Sequence, residues 1–199
     1  MKVTTIEMSG FVSCFNTLRK PFKKECRSIT EFYIDSSDNE VSFSSMCSIH
    51  PNDLKLLQRL IKNGDEHAKA IRLINVTAEI QAPLFWWSEM DTYEVGVVNG
   101  CSESTMHTLK NETVTKDHFE YGVLPSYLEY INSLNSVDIS IQLIKNDLPS
   151  GYLQTRDINF SYQTLRRICK QRVGHKLPQW GIFIDWVKTL PLANELIFI

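Results

Sequence analysis

The spacing of apolar residues changes several times along the chain. Residues 3–8 alternate, with Val3, Thr5 and Glu7 on one side and Thr4, Ile6 and Met8 on the other, which predicts a short opening strand. After Ser9-Gly10 the period lengthens: Phe11, Cys14, Phe15 and Leu18 recur at helical spacing, and Pro21 marks the stop. A basic, polar connection over residues 23–27 leads to two β-prone runs, 31–34 and 41–43. Asp35-Ser36-Ser37-Asp38-Asn39 lies between them, a composition that reads as a hairpin or loop excursion. Asn52 or Asp53 is placed to cap a second helix, with Leu54, Leu57, Leu60 and Ile61 as its stripe and Asn63-Gly64 as its end.

Residues 71–80 are β-branched and alternating, so a strand is predicted with Arg72, Ile74, Val76, Ala78 and Ile80 on one face. Ala82-Pro83 breaks it and sets a proline at the first turn of a following helix. Residues 117–133 read as helix with a break near Pro125, while 137–144 fits a strand and a helix end equally well. Leu148-Pro149-Ser150-Gly151 is a turn. Beyond it Tyr162, Leu165, Ile168 and Cys169 fall at helical spacing, and Arg172, seven residues after Leu165, projects from the apolar side. Gly174 and Pro178 end that helix; Trp180, Phe183, Ile184 and Val187 mark another, stopped by Pro191. At 199 residues and 43% apolar content, without repeats or long linkers, the chain reads as one domain spanning 1–199.

Charge alters this picture. The net charge of −2 conceals a basic block, 145–176, in which Lys145, Arg156, Arg166, Arg167, Lys170, Arg172 and Lys176 face only Asp147 and Asp157. Conversely, 73–109 has no lysine or arginine but carries Glu79, Glu89, Asp91, Glu94 and Glu103 beside Phe85-Trp86-Trp87. Such a basic block binds an anionic ligand, pairs with the acidic segment inside an oligomer, or is a solvated helix face. DNA binding is not expected, because the cations lie on a helix with an apolar stripe in an acidic chain. The five cysteines show no C-x-x-C spacing and read as reduced, mostly buried thiols. Met1-Lys2-Val3-Thr4 leads into alternation instead of an apolar signal core, and the longest strongly apolar run is 82–87. A soluble, cytoplasmic protein with no membrane partner is expected.

No G-x-G-x-x-G, P-loop, G-x-S-x-G or H-E-x-x-H occurs. Cys47-x-x-His50 with His67 lacks a second ligand pair, so no metal is expected. Cys101, Ser102 and His107 contain a nucleophile and a base, but Ser-x-Ser-Thr runs are common caps, and no catalytic residue is assigned. Arg172 is the sharper case: a guanidinium on the core side of a helix needs either an internal partner, such as Asp157 or Glu94, or an anion-binding cavity. Trp86-Trp87 is either core packing or a stacking platform.

The segment IQAPLFWWSEMDTYEVGVVNGCSESTMH resembles the part of flavin-dependent thymidylate synthases (ThyX) that runs from a strand through an Ala-Pro-initiated helix into the signature R-H-R-x-x-S-x-N-x-x-S-x-R. Aligned on Ala82-Pro83 without gaps, the signature falls on 92–104, where Asn99 and Ser102 match. Thr92, Glu94 and Ser104 stand in place of the arginines, Tyr93 in place of the histidine and Val97 in place of the first serine. The second half is similar too: Leu148-Pro149 precedes Ser161-Tyr162-Gln163-Thr164-Leu165, then Arg172 at the place of the family's dUMP-contacting arginine, then Gln179-Trp180-Gly181-Ile182 with one residue inserted. Ser161 stands where the family has Asn. The resemblance covers residues 71–186 and is also to a ThyX-like group of phage and prophage proteins.

The resemblance implies an α/β (α+β) domain with a small mixed sheet flanked by helices, assembled as a homotetramer with ligand sites between subunits. In active members FAD supplies hydride, methylene-tetrahydrofolate supplies the carbon, and arginines hold flavin and dUMP. An arginine–phosphate contact is worth roughly 1.5–3 kcal/mol, so losing two or three of them costs on the order of 10³-fold in anion affinity. The expectation is therefore a ThyX-like oligomer that binds a nucleotide-type ligand without catalysis and without a cofactor. Arg172 and Arg156 would serve the anion and Trp86, Trp87 or Tyr93 stacking, with Asn99, Ser102, Tyr162, Arg166 and His175 completing the candidate set. In a phage setting it would sequester a signalling nucleotide in the host cytoplasm. The alternatives are a divergent FAD-dependent dUMP-modifying enzyme, and an interaction protein in which the acidic segment meets the basic helix of a neighbouring subunit.

Overall fold

The computed structural model describes residues 1–24, 29–35, 42–135 and 141–199, and for 29–35, 42–48, 110–111 and 135 the backbone alone. Its strands are β1 (Lys2–Ser9), β2 (Ile29–Asp35), β3 (Ser42–Ser48), β4 (Asn75–Pro83), β5 (Val97–Ser102) and β6 (Leu153–Ser161). The helices are α1 (Phe11–Thr17), α2 (Pro51–Lys62), α3 (Leu84–Met90), α4 (Thr105–Asn111), α5 (Pro125–Asn135), α6 (Ile141–Asn146), α7 (Tyr162–Arg172), α8 (Pro178–Thr189) and α9 (Ala193–Leu196). One sheet of four strands runs in the order β1-β4-β6-β5, and β2-β3 forms a separate pair. The α/β make-up is the one expected. The sheet, however, is antiparallel at every described pairing, not mixed in strand direction.

β4 organises the sheet because its alternation is complete. Val76, Ala78, Ile80 and Ala82 are fully buried on one face, whereas Glu79 and Gln81 point to solvent on the other. β6 pairs with it along its whole length, from Asn75↔Ser161 to Pro83↔Leu153. The buried face shares one core cluster with Phe11 and Phe15 of α1, Leu57 and Ile61 of α2, Trp86 of α3, Leu165 and Ile168 of α7 and Phe183 and Val187 of α8. A second apolar cluster, Leu109, Val114, Phe119, Ile131, Ile144 and Tyr152, joins α4, α5 and α6 in the stretch between β5 and β6.

Several local expectations shift. The strand predicted over 71–80 begins at Asn75, since Lys69–Leu73 is a 3-10 helix and Arg72 is exposed away from the strand's buried face. The cap of α2 is His50, whose Nδ1 accepts from the Asn52 N–H at 3.2 Å, with Pro51 following at the first helical position. Asp53 instead turns inward and pairs with Arg19 at 2.5 Å. Over 117–133 only a 3-10 turn, Lys116–His118, precedes a helix that Pro125 starts. Within 137–144, residues 141–144 are helical and 137–140 lie outside the described residues. The β2-β3 pairing, Asp35↔Ser42 at its end, is that of the predicted hairpin, although 36–41 lie outside the described residues.

Cys14 and Cys169 are buried, and burial pushes the Cys169 pKa up to about 12. Cys101 is exposed, contrary to the mostly buried reading for its position, and the side chains of Cys26 and Cys47 lie outside the described ones. Among the described residues no helix is long and apolar enough to cross a membrane, and no cluster of His, Cys, Asp and Glu is arranged to hold a metal ion.

Candidate functional site

The short helix α3 sets the site. Pro83 holds an extended conformation (φ −70°, ψ 151°) at the end of β4, turning the chain so that Trp86 and Trp87 enter the core while Glu89 and Asp91 emerge at the helix end. Trp86 is fully buried, 4.9 Å from both the Trp87 and Trp180 ring centres and 5.9 Å from that of Phe183. The Trp87 indole donates to the Gln154 carbonyl at 2.9 Å. Neither tryptophan presents a free ring face in this chain.

Glu89 is the hub of a polar cluster. One of its oxygens, Oε2, accepts from Arg172 Nη1 at 2.6 Å and from Trp180 Nε1 at 2.8 Å, and lies 3.5 Å from His175 Nε2. Arg172 also donates through Nε to the Tyr93 hydroxyl at 2.7 Å, and its guanidinium lies 4.4 Å over the Trp180 ring and 5.3 Å from that of Tyr93. The internal partner that Arg172 requires is thus Glu89, not Asp157 or Glu94. His175 accepts the Leu177 N–H at Nδ1 (3.2 Å), which orients its ring beside the arginine. Arg156 repeats the arrangement: Nη1 donates to both oxygens of Asp91 (2.9 and 3.2 Å), Nε donates to Gln154 Oε1 (3.0 Å), and the guanidinium lies 4.3 Å over Trp87. The acidic and basic segments therefore meet within one chain, through Glu89–Arg172 and Asp91–Arg156.

Two clefts open beside this cluster. The first, about 510 Å³, is lined by Thr92, Tyr93, Glu94 and Val95, which connect α3 to β5, and by Arg167, Gln171 and Arg172 of α7. The second, about 440 Å³, has Asp65, Arg72, Asn75, Asn159 and Gln163 on its walls and shares Val95 and Arg167 with the first. Arg167 donates Nη2 to the Val95 carbonyl at 2.7 Å, while its Nε is shielded from solvent without a partner among the described residues. In the sequence Arg167 is only one of seven cations; its place on α7, two residues from Leu165 and five from Arg172, is the signal that sets it at the cleft wall.

The connecting loop needs a glycine. Gly96 has φ +74°, and a Cβ there would sit 2.3 Å from Thr164 Oγ1, the hydroxyl that donates to the Gly96 carbonyl at 3.0 Å. Gly96→Ala should lower stability by about 1–2 kcal/mol through the left-handed backbone and the displaced threonine, read as a lower urea midpoint at unchanged m.

The other sequence candidates lie apart from the clefts. Asn99 and Ser102 are exposed on the edge strand β5. Tyr162 is fully buried, its hydroxyl donating to the Pro191 carbonyl at 2.6 Å, and burial raises its pKa. Arg166 is buried, 3.8 Å from Asp65 and 3.3 Å from the Ile199 oxygen. Of the ten candidates, Tyr93 and Arg172 line the first cleft and His175 touches Arg172.

No family model and no curated protein matches this chain in sequence. In three dimensions it is similar to flavin-dependent thymidylate synthase ThyX from Helicobacter pylori complexed with FAD and dUMP, at TM-score 0.71 and 12% identity over 99% of this chain and 98% of the other. A second structure of Helicobacter pylori ThyX with FAD and dUMP gives 0.70 and 14%, covering 99% and 97%. A UMP/dUMP methylase, PolB from Streptomyces cacaoi, bound with 5-Br dUMP, gives 0.61 and 12%, covering 99% and 94%. The chain has the fold of the flavin-dependent thymidylate synthases.

Proposed function

We propose that this protein binds a nucleotide-type ligand and does not make thymidylate. The observation that carries the reading is the lining of the first cleft: Thr92 and Glu94, where the ThyX signature places arginines, face Arg172, whose charge is already met by Glu89. A phosphate at that wall meets an added carboxylate and a committed cation, which opposes the charge stabilisation that flavin and dUMP chemistry requires. The diphosphate of FAD fits this lining poorly, so a colourless protein is expected. Nucleotide binding itself is supported by the fold, since the similar structures hold dUMP or 5-Br dUMP, and by Arg167, a cation at both clefts with no carboxylate within 4 Å among the described residues. In this reading the protein is a cytoplasmic homo-oligomer, a tetramer by analogy, that sequesters a signalling nucleotide in a phage setting.

The test is a thermal-shift and calorimetric screen of the purified protein against mononucleotides, dinucleotides and cyclic forms. Stabilisation by at least one class is expected; no stabilisation across the panel sinks the proposal. The enzyme alternative has one observation in its favour, the near-complete coverage of FAD- and dUMP-bound ThyX. Yellow protein whose flavin absorbance responds to dUMP would establish that alternative instead.

A further inference from the structure

We infer that the two clefts form one bipartite site for a ligand of two nucleosides joined through phosphate, with Arg167 as the anion anchor at the junction. The inference rests on the nucleotide-binding reading above and narrows its ligand class. Both clefts share Val95 and Arg167, and the bond from Arg167 Nη2 to the Val95 carbonyl (2.7 Å) fixes the guanidinium on the common wall. At about 510 and 440 Å³, each compartment lies within the roughly 300–1,000 Å³ range of small-molecule sites and takes one nucleoside.

The distribution of charge places the phosphate. In the first cleft Arg172 is neutralised by Glu89, and Glu94 adds a carboxylate, so this compartment repels a phosphate and accepts from the amino groups of a base. In the second, Arg72 bonds through Nε to the neutral Gln163 Oε1, and Asp65 lies 3.8 Å from Arg166. Arg72 and Arg167 are therefore the cations of this groove that have no carboxylate within 4 Å among the described residues. With Nη2 given to the Val95 carbonyl, Nη1 of Arg167 has no hydrogen-bond partner among the described residues and is the donor that a phosphate oxygen would meet. The side-chain amides of Asn75, Asn159 and Gln163 supply polar groups for the second base.

Isothermal titration of the full chain with 3′,5′-linked dinucleoside monophosphates and with the matching nucleoside 5′-monophosphates tests this. The dinucleotides should bind at least about tenfold more tightly, and Arg167→Ala should weaken them by about 10- to 100-fold, to the level of the mononucleotides. Arg167→Lys, which keeps the charge but not the fork, should fall between. Should Arg167→Ala fail to fold by circular dichroism, the exposed Arg72→Ala reads the same site and must also weaken dinucleotides selectively. Equal affinity for mononucleotides and dinucleotides, or arginine variants that bind as the parent does, would overturn the bipartite site while leaving nucleotide binding intact. Failure of every nucleotide to bind would overturn both.

Discussion

Trp86→Ala lowers the unfolding free energy by about 3–5 kcal/mol, the largest single effect expected in this chain. The indole is fully buried and packs on Trp87, Trp180 and Phe183, so truncation opens a cavity at the junction of α3 and α8 that rigid neighbours cannot fill. Trp86 Nε1 has no hydrogen-bond partner among the described residues, so the loss is one of packing and apolar burial. Trp86→Phe should accordingly cost much less, about 1–2 kcal/mol, since a smaller ring keeps most contacts and removes an unsatisfied donor. Trp87→Phe removes a made bond, to the Gln154 carbonyl, and should be the worse of the two ring-preserving changes. Urea unfolding at constant m separates these cases. A Trp86→Ala protein of parental stability that had lost its ligand would instead establish Trp86 as a stacking platform.

The sequence displayed the fold wherever one face of an element is uniformly apolar. β4 and the stripes of α1, α2, α7 and α8 are of this kind, and the spacing of their apolar residues predicts each near its observed place. β6 carries no such signal, although it is a central strand, because its inward face continues from Phe160 and Ile158 into Arg156 and Gln154. The polar pair is admitted there by Asp91 and by the Trp87 ring, partners 65 and 69 positions away in sequence. β5 escaped for the opposite reason: as an edge strand it buries almost nothing, so it has no period to detect. In the site, the core-side position of Arg172 followed from its spacing to Leu165, yet the identity of its partner did not. Glu89 and Glu94 are equally plausible as letters, and only the short helix α3 turns the first toward Trp180 and leaves the second at the cleft.

Glu89→Ala is expected to cost about 2–4 kcal/mol, because it leaves Arg172 and the Trp180 indole N–H without their shared acceptor in a half-buried setting. Arg172→Ala should cost less, since Glu89 then keeps its Trp180 bond and a path to water. The double variant should be less destabilised than the sum, with a coupling of about 1–3 kcal/mol. Glu89→Gln separates packing from charge: the amide oxygen still accepts from Trp180, whereas Arg172 loses its counter-ion. Under the nucleotide-binding proposal, Glu89 competes with a phosphate for that guanidinium, so this variant should bind anions at the first cleft about tenfold more tightly in low salt, an advantage of roughly 1.4 kcal/mol that shrinks as ionic strength rises. Weaker binding by Glu89→Gln at unchanged fold would mean that the carboxylate positions Arg172 for the ligand, and that the pairing completes the site instead of occupying it. Titration calorimetry at two salt concentrations decides, because competition and positioning predict opposite signs.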